Sequence, residues 1–124
     1  MKLTMLGTGN ALVTACYNTC FLIDDADRLF LVDGGGGNEI LGRISRAGYN
    51  WTDVRHIFVT HKHIDHLLGI LWMVRMICQN MRSGNYEGEA YIYSHAEVLE
   101  LIRDMKTGDG SLSLSVILLP LLRL

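Results

Sequence analysis

The segment Phe58 to Gly69, "FVTHKHIDHLLG", constrains this chain more than any other. It sits between the apolar run "HIFVT" (56–60) and the long apolar run "LLGILWMVRMICQNM" (67–81). A short run rich in β-branched residues reads as a buried strand, and a run of this length reads as a buried helix. The polar loop between them holds three of the chain's five histidines and an aspartate. In an extended segment His61 and His63, two apart, project to one side. Asp65 and His66 stand where the chain turns into the helix, expected to begin near His66 or Leu67. The layout offers two nitrogens for one metal ion, and an oxygen plus a nitrogen for a neighbouring one. Imidazole and carboxylate suit Zn²⁺, with Mn and Fe as alternatives.

The rest of the chain alternates strands with helices. "KLTML" (2–6) reads as a strand stopped by "GTGN". "TCFLID" (19–24) and "LFLVD" (29–33) flank the turn-like "DDADR", so they form a hairpin. Their continuous apolarity predicts strands covered on both faces. "NEILGRISRAG" (38–48) carries Ile40, Leu41, Ile44 and Ala47 on one helical face. "EAYIYS" (89–94) is a strand and "SHAEVLELIRDMKTG" a helix. Ser94 and Glu97 are spaced as a capping box there, and Val98, Leu99, Ile102 and Met105 face inward. "SLSLSV" (111–116) alternates as a half-buried strand does. The chain is expected to be an α/β layered domain over residues 1–124.

Composition excludes several classes. The net charge of −2 makes no electrostatic case for a nucleic-acid binder. The C-terminal apolar run "VILLPLL" (116–122) is too short to cross a bilayer and contains Pro120. No secretory leader is visible at the start, and three cysteines without framework spacing read as reduced thiols, so the expected location is cytoplasmic. "GTGNA" lacks the third glycine of a dinucleotide loop. "GGGG" (34–37) has no Lys-Ser/Thr after it and is not a phosphate loop. Those glycines are expected to let the backbone pass close to the metal loop.

"THKHIDHLLG" resembles the signature of the metallo-β-lactamase-fold hydrolases. "LTMLGTGNA" resembles the opening strand and loop of their ribonuclease Z-like branch, and "FLVDGGGG" their strand ending in Asp-Gly. The resemblance implies the N-terminal half of an αββα sandwich: a mixed sheet with helices packed on one face. It implies that His61 and His63 serve one zinc, and Asp65 and His66 a second. Asp65 would also act as general base or proton shuttle, and Asp33 would stand behind the metals and orient their ligands. The implied chemistry is hydrolysis by a metal-activated water, most naturally of a phosphodiester or RNA, with thioesters and lactones open to the same fold. The family completes its site with a His, a bridging Asp and a last His further along. After residue 66 this chain has only His95, expected to be a surface or first-turn residue of the capped helix. The chain is therefore expected to stop near the middle of the fold. A catalytically incompetent half-domain, binding metal weakly or self-associating through an uncovered sheet face and the tail 112–122, is the alternative expectation.

Overall fold

The computed structural model describes residues 1–105 and the backbone of 114–118. Its frame is a six-stranded sheet in chain order: β1 (Lys2–Gly7), β2 (Cys20–Asp25), β3 (Arg28–Val32), β4 (Val54–Phe58), β5 (Ala90–Ser94) and β6 (Leu114–Leu118). β1, β2 and β3 pair antiparallel, and β3 through β6 pair parallel. The parallel steps need crossovers, and each contains a helix: α2 (Ile64–Ser83) lies between β4 and β5, and α3 (Ala96–Met105) before β6. The connection from β3 to β4 contains α1 (Glu39–Arg46) and a 3-10 turn at Trp51–Asp53 that sequence periodicity did not reveal.

The hairpin between β2 and β3 closes through only two residues. Ala26 and Asp27 both take positive φ, 43° and 70°, the backbone that matches strand twist in a two-residue turn. The end of α2 is equally local: Gly84 at φ 79° caps it, and its amide returns to the carbonyls of Asn80 and Met81.

Two helix starts differ from expectation. α2 begins at Ile64, one turn's worth of chain before the apolar run, because His63 takes the extended cap conformation and its carbonyl accepts from Leu67 at 2.9 Å. The start was hidden because His63 is not a capping residue type. At α3 the expected capping box is absent. Ser94 is the last residue of β5, buried, and its hydroxyl donates to the Val59 carbonyl at 2.8 Å. Glu97 instead pairs with Lys62 across the metal loop. Helix and strand compete for the same serine, and the buried strand-to-strand bond wins. The expected inward position of Met105 and the tail 112–122 lie outside the described side chains.

Alternation along the strands separates two faces. Leu22, Leu31, Ile57 and Ile92 are fully buried on the helix side, against Ile40, Ile44, Ile70, Met73 and Ile77. On the other side, register places two rows across five strands: Leu3, Ile23, Phe30, His56, Tyr91, and Met5, Phe21, Val32, Phe58, Tyr93. Leu3 and Met5 are exposed and the rest half-buried. Among the described residues, helices cover one face of these apolar strands only. His56 stacks between Phe30 and Tyr91 (ring centroids 4.5 and 5.3 Å), and its Nδ1 lies 2.9 Å from the Tyr93 hydroxyl. Burial, and then the charge of Arg28, hold the His56 imidazole below its ordinary pKa, so it adds no charge to the field at neutral pH.

That field of ten uncharged side chains spans, at strand spacing and rise, roughly 320 Å² in projection. Covering it on two copies yields about 16 kcal/mol gross, at the upper end of the ~4–15 kcal/mol cost of association. The expected result is self-association of the chain at micromolar concentration, or strong binding of an apolar dye. Analytical ultracentrifugation checks it. A Phe30→Glu, Phe58→Lys double variant should shift the population to monomer, and a wild-type chain that is monomeric and dye-silent would remove the idea.

Candidate metal centre

Parallel strands β3 and β4 end side by side, and the chain leaves both ends on the same rim. Asp33 follows β3 directly, and Thr60 to His66 follow β4. Asp33 is 5% exposed and its backbone has φ 58°. That left-handed turn, which aspartate tolerates better than most side chains, aims the carboxylate at the β4 loop. Oδ1 accepts from the Thr60 amide at 2.8 Å. Oδ2 accepts from the Thr60 hydroxyl at 2.7 Å and stands 2.8 Å from His66 Nδ1.

These bonds set the histidine tautomers. A carboxylate oxygen only accepts, so His66 carries its proton on Nδ1 and presents Nε2 outward. The Thr60 hydroxyl gives its proton to Asp33, so its lone pairs accept from His61 Nδ1, 2.8 Å away. His61 thereby also presents Nε2. One buried acid orients two imidazoles, one directly and one through a threonine. Thr60 was missed from sequence; its only signal is its place immediately before His61 at the strand's end.

His61, His63 and His66 stand together, with ring centroids 4.6 Å apart for His61–His63 and 4.1 Å for His61–His66. Burial, then the neighbouring His66 and His63 rings, hold His61 below its ordinary pKa, which keeps it a neutral ligand-competent imidazole. Asp65 lies in the first turn of α2, and its Oδ2 is 3.2 Å from His66 Nε2. With the His66 proton on Nδ1, that approach sets a lone pair against a carboxylate oxygen. Such a pair repels unless a cation or a proton lies between them. The donor set thus suits a borderline cation such as Zn²⁺. Among the described residues, no three His, Cys, Asp or Glu side chains close into a cage. The donors share a rim without converging on one point.

The rest of the sequence-nominated groups fall elsewhere. His95 precedes the first turn of α3 and is half-buried, and its Nδ1 has no hydrogen-bond partner among the described residues. Cys16 is exposed, Cys20 and Cys78 are buried, and burial pushes the Cys20 thiol up to about 12. The glycine run does bring backbone to the site. Gly34 N–H donates to the His66 carbonyl and Gly69 N–H to the Gly35 carbonyl, both at 2.9 Å. An added Cβ on Gly69 would stand 1.8 Å from the Gly34 oxygen, so both positions require glycine.

A mixed sheet with helices on one face, and a histidine-rich loop at the rim after a parallel strand, is part of a metallo-β-lactamase fold of the ribonuclease Z-like kind. Human tRNase Z, short form (ELAC1), superposes with TM-score 0.74 at 19% identity, covering 94% of this chain and 43% of that one. The metallo-beta-lactamase fold protein YhfI from Bacillus subtilis gives 0.73 at 18%, covering 95% and 46%. The family described as Anti-Pycsar protein Apyc1 matches residues 1–108, and the chain belongs to that family. It is also similar to Ribonuclease Z of Bacteroides fragilis, 30% identical over 105 residues, 84% of this chain and 33% of that protein. Ribonuclease Z of Haloferax volcanii is 40% identical over 84 residues, 66% of this chain and 25% of that protein. The chain thus spans about a third or less of the length of these curated relatives. The fold family is typically zinc-dependent. Among the described residues no helix is long and apolar enough to cross a membrane.

Proposed function

We propose that the chain is the metal-holding part of a zinc-dependent phosphodiesterase whose substrate is a cyclic nucleotide. The observation that carries this is the family match over residues 1–108, which takes in Asp33 and all of His61 to His66. That family suggests a cyclic nucleotide substrate. A small substrate also agrees with a net charge of −2, which gives a polyanion no attraction.

His61 and His63 would hold one ion, and Asp65 and His66 a second. When bound, zinc supplies a Lewis acid for the phosphoryl oxygen and lowers the pKa of a water toward neutrality. The chain's own residues do the rest. Asp33 and Thr60 hold the Nε2 atoms of His61 and His66 outward. The Asp65 carboxylate, at the open rim, takes the proton from the attacking water and passes it to the leaving alkoxide.

A second reading is supported by the curated relatives, which are named Ribonuclease Z: cleavage of RNA at a tRNA 3′ end. One set of assays separates the two. Zinc titration of the 124-residue chain should show weak, substoichiometric binding that His61→Ala plus His63→Ala abolishes. The same segment in a polypeptide of its relatives' length should hydrolyse 3′,5′-cyclic mononucleotides. Chelator should stop that turnover, and Asp65→Ala should lower it about 10²- to 10⁴-fold. Cleavage of a 3′-extended tRNA with no cyclic-nucleotide turnover would favour the second reading. Turnover indifferent to chelator would overturn both.

A further inference from the structure

We infer that Tyr17 is a positioning residue of this centre, acting through the Gly34–Gly37 loop on Asp33 and α2; the inference rests on the metal reading above. Tyr17 is 8% exposed, and its hydroxyl bonds to the glycine loop rather than to a candidate ligand. Its phenol oxygen lies 2.7 Å from the Gly34 carbonyl and 2.8 Å from the Gly37 carbonyl, with one proton to give. The Gly37 amide donates to the same oxygen at 3.3 Å. Both ends of the glycine loop are therefore drawn to a single hydroxyl.

The ring shapes the loop as well. An added Cβ on Gly35, where φ is 68°, would stand 2.2 Å from Tyr17 Cε1. At Gly35 the loop lies directly against the tyrosine ring, with no room there for a side chain. The Arg43 guanidinium lies 5.4 Å from the ring centroid. The tyrosine is itself anchored, since its carbonyl accepts from Thr8 at 3.0 Å and Gly9 at 2.8 Å. Burial pushes the phenol up to about 12, so it remains a donor over the whole neutral range.

What the loop carries gives this clamp its consequence. Asp33 is its first neighbour, and the two backbone bonds to α2, at Gly34 and Gly69, are its contacts with the helix bearing Asp65 and His66. A loop free to shift would move the Asp33 carboxylate off His66 Nδ1 and Thr60. The Nε2 atoms of His61 and His66 would then lose their fixed direction. Tyr17 is 16 residues from Asp33 in sequence, and no metal-motif pattern includes it.

The test compares Tyr17→Phe with Tyr86→Phe. Tyr86 also gives a buried phenol-to-carbonyl bond, to Val54 at 2.8 Å, but on a strand end remote from the loop. Cobalt(II) titration by visible absorption, with a competing chelator, reads the site. Amide exchange of the metal-free chain reads the loop. Tyr17→Phe should weaken cobalt binding roughly ten- to hundred-fold, and shift the cobalt band. It should speed exchange at Gly34 and Gly69 far more than at Ile57 and Ile92. Tyr86→Phe should lower the melting temperature while leaving cobalt affinity within about twofold, as expected for a lost bond that supports only the fold. Equal cobalt affinity and equal exchange in the two variants would overturn the inference. A wild-type chain that takes no cobalt would sink the metal reading on its own, and the exchange comparison would still decide whether Tyr17 holds the loop.

Discussion

Asp33→Asn is expected to weaken zinc binding roughly ten- to hundred-fold while leaving the chain folded. Asparagine keeps the shape and accepts a left-handed backbone, so φ 58° is not the obstacle. The loss is in acceptors. Asp33 receives three donors: the Thr60 amide, the Thr60 hydroxyl and His66 Nδ1. The amide oxygen can keep one side of that set, but its NH₂ then meets the donors on the other. Stability should fall by about 1–3 kcal/mol, the cost of leaving buried donors unmet. Urea unfolding measures that part, and chelator competition measures the zinc affinity. Asp33→Ala, which removes both acceptor oxygens and adds backbone strain, should be worse on both counts. A variant with lowered stability but wild-type zinc affinity would mean that Asp33 supports the fold and does not orient His66.

Gly69→Ala should cost at least about 3 kcal/mol, at or above the upper end for an overpacked site. Its sign makes the measurement decisive. In an unobstructed helix interior the same change would stabilise by about 1 kcal/mol. Here the added carbon would lie 1.8 Å from the Gly34 oxygen and 2.4 Å from its carbonyl carbon. Those are backbone atoms and cannot swing away. The two loop-to-helix bonds would have to break, and the buried face of α2, with Leu67, Ile70 and Met73, would lift from the sheet. Midpoints in urea give the answer, and a stabilised variant would show that Gly34 and Gly69 do not touch.

Much of the architecture was legible because its cues are local. The "DDADR" turn between apolar runs marks the hairpin, and Gly84 marks the end of α2. The capping-box pattern at Ser94 misled for a physical reason. A hydroxyl can satisfy a helix or a neighbouring strand, and only the docking of β5 beside Val59 decides which. The apolar strands likewise read as covered twice. Packing shows Leu22, Leu31, Ile57 and Ile92 under helices, and Phe30, His56 and Tyr91 on an open face.

The candidate site divides along the same line. His61, His63, Asp65 and His66 lie within six residues, so a single strand-to-helix junction is enough to gather them, and the sequence by itself determined that gathering. Their orientation was decided only by tertiary structure. Parallel pairing of β3 with β4 sets Asp33 against Thr60 across 27 positions, and helix docking places His66 on the same carboxylate across 33. The contact of Gly34 with Gly69 and the Tyr17 clamp depend on the same docking. Hydrogen bonds of about 2.8 Å act only between groups already brought together. Across such separations, it is the burial of the α2 face on the sheet that brings them there.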